Sequence, residues 1–247
     1  MRGGMLDAVR GCLKEEIRMD VLSNNLANST TIGFKRNRLS FQEALDEQMK
    51  TNNRVNTRED GRENPGLVYI GLDLNQGDIR TTGNPLDFAI NGKGFFKIET
   101  PDGLRYTRKG NFRLDAEGYV VTQEGLKVMG KGGPINISGN EINMGGNGAI
   151  MADGSEVGQL EVIDFKNPQN LIKEGTCLFK KTGGEQEVPP SPGTRVVQGY
   201  IEGSNVDVAE EIVQMIYSLR SFESYQKSIQ ILDGINNRAI NEVSRLR

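Results

Sequence analysis

Helix breakers are confined to the middle of this chain. Of its 31 glycines, 26 lie between Gly61 and Gly203, and all eight prolines fall between Pro65 and Pro192. Proline removes a helical hydrogen bond, and glycine costs about 1 kcal/mol relative to alanine in a helix interior. A 247-residue chain that keeps its two ends nearly clear of both is set to form long terminal helices around a different middle.

Residues 5–28 fit one helix. At 100° per residue, Leu6, Val9, Leu13, Ile17 and Val21 make one stripe, continued by Asn24 and Asn28, while Met5, Cys12, Met19, Leu22 and Leu26 make a second stripe on the far side. A helix on the surface of a monomer needs one apolar stripe; two opposed stripes predict burial against two neighbours. Residues 207–246 repeat the pattern over a longer span. Asp207 followed by Glu210 fits an acidic capping box, and the heptad positions read Ile212, Met215, Leu219, Phe222, Gln226, Ile229, Asp233, Asn236, Ile240 and Val243. Neither helix has an obvious place to bury two faces within one chain, which predicts pairing with each other and with copies from neighbouring subunits.

The middle is of another kind. Residues 51–66 hold one apolar side chain, Val55, and read as a solvated linker. From Leu67 to Tyr200, short alternating runs are punctuated by turn signals every eight to twelve residues, with Asp102-Gly103 and Glu117-Gly118 placed where tight hairpins need positive φ. The fold class is therefore mixed: N- and C-terminal α-helices pairing as a coiled coil, with a central all-β domain of sandwich or barrel type. The expected boundaries are 1–35 plus 205–247 for the helical domain, 36–66 for the linker and 67–204 for the β-domain.

Familiar chemistry is largely excluded. With no histidine there is no Ser-His or Cys-His triad and no imidazole metal ligand. A net charge of −3 argues against nucleic acid as a partner. No run approaches the 18 or so apolar residues of a membrane span. Cys12 and Cys177 read as unrelated free thiols. The stretch Gly125 to Gly132 follows a P-loop for seven positions, but Gly132 stands where Ser or Thr would hold Mg²⁺, so it reads as a turn between strands. No enzyme, cofactor, metal or small-molecule substrate is expected.

One polar cluster stands apart: Asn24, Asn25 and Asn28. Two readings stand open. The helix end is frayed by asparagines with Gly33 as its positive-φ stop, or Asn24 and Asn28 hydrogen-bond across a helix interface and fix its register.

That cluster also carries a family resemblance. MDVLSNNLANSTTIGFKR, Met19 to Arg36, closely resembles the signature of the bacterial flagellar rod and hook proteins, with Asn24, Asn25, Leu26, Ala27, Asn28, Thr31, Gly33, Phe34 and Lys35 matching position by position. Residues 84–125 resemble that family's β-domain entry and residues 202–216 the start of its C-terminal helix; residues 140–195 match nothing recognisable. The resemblance implies a structural subunit of the basal-body rod in the periplasm, assembled helically through its terminal helices. Its partners would be other copies of itself and neighbouring rod proteins, with export through the flagellar type III apparatus and no cleaved signal peptide. Length within the family leaves the proximal-rod and distal-rod types; the wording IEGSNV at Ile201 to Val206 and the divergent middle favour the proximal type, with the distal type as the alternative. The rival from another class is a β-rich binding module or adhesin oligomerised by coiled-coil ends. Periodicity and resemblance together give the expected assembly interface: Leu6, Val9, Leu13, Ile17, Val21, Asn24, Asn25, Leu26, Asn28, Gly33 and Phe34 from the first end, and Ser204, Asn205, Val206, Ile212, Met215, Leu219, Phe222 and Ile229 from the second.

Overall fold

A computed structural model describes residues 2–41, 68–139, 142–145 and 148–245. The expected linker at 51–66 lies outside the described residues, as do the side chains of Ile240 and Val243. Helix α1 spans Arg2–Ala27 and helix α2 spans Val208–Arg245. Between them run β1 (Asn37–Phe41), β2 (Val68–Leu72), β3 (Ile79–Thr81), β4 (Phe88–Asn91), β5 (Phe95–Thr100), β6 (Gly103–Thr107), β7 (Arg113–Leu114), β8 (Val120–Val121), β9 (Lys127–Gly130) and β10 (Gly133–Pro134). They continue as β11 (Ile142–Met144), β12 (Ala149–Ala152), β13 (Ser155–Gln159), β14 (Val162–Phe165), β15 (Ile172–Glu174), β16 (Leu178–Lys180), β17 (Glu187–Val188), β18 (Arg195–Gln198) and β19 (Tyr200–Glu202). The reading of helix, β-rich middle and helix matches this order. Asp207 caps α2, its carboxylate accepting from the backbone N–H of Ala209 and Glu210 at 2.9 and 3.1 Å.

The chain divides into two compact units that cut across the expected boundaries. A helical unit holds residues 1–27, 37–71 and 207–247; a β unit holds residues 28–36 and 72–206. The signature stretch beyond Ala27 thus belongs with the β unit, and β1 returns to the helical unit.

In the β unit the main sheet runs β15-β16-β6-β5-β9-β8-β7 along an open path, with β14 pairing both β5 and β17. The hairpin of β5 and β6 pairs Phe96 with Thr107 and Thr100 with Gly103. Gly103 and Gly118 both take positive φ, as their turn signals require. Residues 125–132 form a turn and β9, so the P-loop spacing is a strand with glycines around it. Successive side chains point to opposite faces of a strand, and β5 uses both. Phe95 joins Tyr106, Phe165 and Phe179 in one cluster, whereas Phe96 and Ile98 join Phe88, Val120, Val128 and Ile150 in another. A sheet buried on both faces explains why Phe95 and Phe96 stand side by side in a run that otherwise alternates.

At one margin of this sheet Glu187 accepts from the Tyr106 hydroxyl at 2.6 Å, from Lys97 at 3.0 Å and from Lys181 at 3.1 Å. Burial alone would raise its carboxyl, but the bonds from Tyr106, Lys97 and Lys181 outweigh it and hold the group down at about 2. A carboxyl whose pKa is depressed on folding contributes stability above its unfolded value and loses it as pH falls through its folded value. Acid titration of the β unit should therefore show a loss between about pH 4.5 and about pH 2 that Glu187→Gln flattens. An unaltered acid slope in that variant would count against the assignment.

Candidate assembly interface

The helical unit is built on a polar seam. Asn25 Nδ2 donates to Glu211 Oε2 at 3.2 Å, and Ser218 Oγ donates to Glu15 Oε2 at 2.5 Å. A Cβ placed on Gly11 would meet the Tyr225 ring at 2.5 Å, and one on Gly4 would meet Leu232 at 4.0 Å. Residue numbers fall along α2 as they rise along α1, so the two helices run antiparallel.

The contacts define a repeat on each helix. On α2 they fall at Glu211, Met215, Ser218, Phe222, Tyr225, Ile229, Leu232 and Asn236, spaced alternately by four and three residues. Among residues 208–238 every side chain of α2 that is not exposed lies on this row, apart from Ser221. On α1 the same spacing picks out Gly4, Ala8, Gly11, Glu15, Arg18, Leu22 and Asn25. Small residues let the backbones approach, and the buried polar atoms meet one another: Arg18 Nη1 also donates to both oxygens of Glu15 at 3.1 and 3.0 Å.

The expected residues divide on this geometry. Met215, Phe222 and Ile229 sit on the seam row, whereas Ile212 and Leu219, one position off it, are 43% and 47% exposed. Leu6, Val9 and Leu13, opposite the α1 seam, are exposed, and so are Val213, Ile216, Tyr217, Ile231 and Ile235 on α2. Ile17 and Leu26 are half-buried, and Val21 is buried. The face of α1 that meets α2 lies between the two stripes, takes in Leu22 from the second, and is otherwise occupied by small and polar residues. Apolar periodicity could not reveal that face; the signal was the heptad spacing of Gly4, Ala8, Gly11 and Glu15.

Of the three asparagines, Asn25 hydrogen-bonds across to Glu211 on α2. It is 1% exposed, donates to Asn37 O and accepts from Asn37 N–H, both at 2.9 Å, so its amide pairs with β1 as a strand would. Asn24 is exposed and accepts from Asn37 Nδ2 at 3.5 Å; Asn28 accepts from Thr31 Oγ1 at 3.2 Å in the turn after α1. The bond across the helix interface, which one of the two readings gave to Asn24 and Asn28, is made by Asn25 between them. Gly33 has φ +69°, as its reading as a positive-φ stop requires, though five residues of turn separate it from the helix end.

The remaining expected residues lie in the β unit. Phe34 is fully buried there, Asn205 accepts from Arg36 N–H at 2.8 Å and donates to Asp73 O at 2.8 Å, and Ser204 Oγ accepts from Val206 N–H at 3.3 Å. These positions hold the unit together internally. Among the described residues no group of three or more acidic or cysteine side chains is placed to hold a metal, and no helix is long and apolar enough to cross a membrane.

Comparison with known proteins joins these pieces. Three family profiles match: "Flagella basal body rod protein" over residues 5–35, "Flagellar hook protein FlgE/F/G D1 domain" over 89–152 and "Flagellar basal body rod FlgEFG protein C-terminal" over 197–242. The flagellar basal-body rod protein FlgG of Bacillus subtilis is 32% identical over 98% of this chain and 99% of its own length. FlgG of Buchnera aphidicola from Acyrthosiphon pisum is 37% identical over 89% of this chain and 91% of its own, and FlgF of Caulobacter vibrioides is 30% identical over 92% of each.

Proposed function

From its place in the flagellar basal-body rod protein family, to which the chain belongs, we propose that it builds the rod by self-association through the two open apolar faces of its helical unit. It is a structural subunit of the rod, sited in the flagellar basal body, and it assembles with other rod components. The names of the relatives favour the FlgG type, which the sequence reading ranked second, over the proximal type that it ranked first. We adopt the FlgG assignment within the proposal.

The observation that carries it is the division of labour in the helical unit. Contact within the chain sets small and polar residues of α1 against a mixed polar and apolar row of α2, while Leu6, Val9 and Leu13 on α1 and Ile212, Ile216 and Leu219 on α2 face solvent. Burying one such side chain is worth about 1.5–3 kcal/mol. Neighbouring copies supply the partner surfaces, and the helices then form a coiled coil whose seams run both within and between chains. The contact joins two different faces, and repeated with a rotation that does not close it adds copies into a filament rather than a ring. Isolated helices are marginal in water, so the helical unit reaches full order on the growing end of the rod, after the chain has passed unfolded through the type III export apparatus. The chain works as a structural element and performs no catalysis.

Complementation of a rod-gene deletion tests this. Wild-type protein should restore swimming, and the double variant Ile212→Lys/Ile216→Lys should not, while its β unit melts at the wild-type temperature. Full swimming by that variant would remove the exposed α2 face from assembly.

A further inference from the structure

Residues 28–36 leave α1 and lie across the β unit, and their grip on it is unusual. Phe34 and Lys35 are both fully buried, although Lys35 carries a charge. Its Nζ donates to Glu202 Oε1 and to Asn75 O, each at 2.6 Å, and both side chains of the ion pair have no exposed surface. Glu202 is shared: its other oxygen accepts from Arg108 Nη1 at 3.1 Å, and Gly77 N–H donates to Oε1 at 3.0 Å. One carboxylate thus faces two cations. Around the pair the segment is held by further bonds. Gly33 N–H donates to Glu202 O at 2.8 Å, Lys173 Nζ donates to Lys35 O at 2.8 Å and stands 3.6 Å over the Phe34 ring, and the Cys177 thiol donates to Ile32 O at 3.5 Å.

We propose that residues 28–36 form a strap over the β unit, latched by Lys35 on Glu202, whose opening uncovers Cys177 without unfolding the sheet. The asymmetry of the charges makes the strap separable. Removing Lys35 leaves Glu202 paired with Arg108, so the carboxylate is never stranded in the interior, whereas removing Glu202 would leave two buried cations facing each other. Arg108 is anchored independently of the strap, donating to Ile90 O at 3.2 Å and Gly92 O at 2.7 Å. The two phenylalanine-rich clusters under the main sheet contain no residue from 28–36. A segment bound by one buried aromatic ring, one buried charge and a few hydrogen bonds, outside those clusters, belongs to the class that opens locally below the global unfolding free energy.

Cys177 reports the state of the strap. It is 7% exposed beneath it, and burial pushes its thiol up, so with the strap closed the thiolate is scarce and covered. In a Cys12→Ser background the full chain has Cys177 as its single thiol. Labelling with N-ethylmaleimide should be slow there and faster by roughly tenfold or more when Lys35→Met is added, as removal of one buried partner lowers the cost of opening. Hydrogen exchange on the same protein should keep protection in β5, β6 and β9 while losing it at residues 33–36. An unchanged labelling rate would show that Lys35 holds nothing shut. Loss of protection throughout β5, β6 and β9 would show that Lys35 is part of the indivisible core. Either result overturns the strap. As a second variant, Lys35→Arg keeps the charge on Glu202 and should label at close to the slow background rate; labelling as fast as in Lys35→Met would make side-chain shape the determinant and sink the latch.

Discussion

Gly33→Ala should lower the melting temperature of the β unit by roughly 10 °C, a loss of about 3–5 kcal/mol at the upper end for single substitutions. Two effects add. Gly33 has φ +69°, a left-handed conformation that costs a residue with a Cβ about 1–2 kcal/mol. The Cβ would also sit 2.4 Å from the backbone nitrogen of Lys109 and 2.6 Å from the carbonyl carbon of Arg108, atoms that cannot swing aside. Gly83→Ala separates the two contributions, because Gly83 has φ +73° with nothing within 4 Å of its Cβ position. Calorimetry should therefore rank Gly33→Ala well below Gly83→Ala in stability. Equal losses would mean that the close approach to residues 108 and 109 relaxes at no cost.

The second large effect belongs to the helical unit. Asn25→Leu should abolish swimming and lower helix content, while Asn24→Leu should leave both close to wild type. The leucine removes the amide that both donates to and accepts from Asn37, and takes a donor from the buried carboxylate of Glu211. Leaving buried polar groups without partners costs about 1–3 kcal/mol each. The sum, roughly 3 kcal/mol or more, falls at the centre of the polar part of the helix seam. Asn24 is exposed, and substitutions at such positions stay within about 0.5 kcal/mol. Circular dichroism and a motility assay on both variants decide the matter; a motile Asn25→Leu strain would break the link between this amide and assembly.

The helices and the β-rich middle were legible because their signals are local. Breakers, capping residues and turn glycines act on the backbone around them, and Gly103, Gly118 and Asp207 behave in the structure as their types require. The helix seam was legible only in part. Half of the heptad row read from α2 coincides with it, since Met215, Phe222 and Ile229 recur at the right interval, but Ile212 and Leu219 were drawn in by hydrophobicity alone. Periodicity assumes that what faces a partner is apolar, and here Glu15, Asn25, Glu211 and Ser218 face the partner helix within the chain. Glu202 was legible only as part of the resemblance over residues 202–216, with no chemistry attached to it. A glutamate near the end of a β-rich stretch looks like a solvated charge until two cations from positions 35 and 108 are folded onto it.

The antiparallel register has a geometric consequence for the ends. With Gly4 beside Leu232, α1 runs out at Arg2 while α2 continues to Arg245. About eleven residues of α2, roughly 16 Å at the helical rise, extend past the end of α1. The two ends are unlike, so the unit has a head and a tail along its own axis. A stack that repeats one head-to-tail contact between such units therefore carries a direction along its whole length.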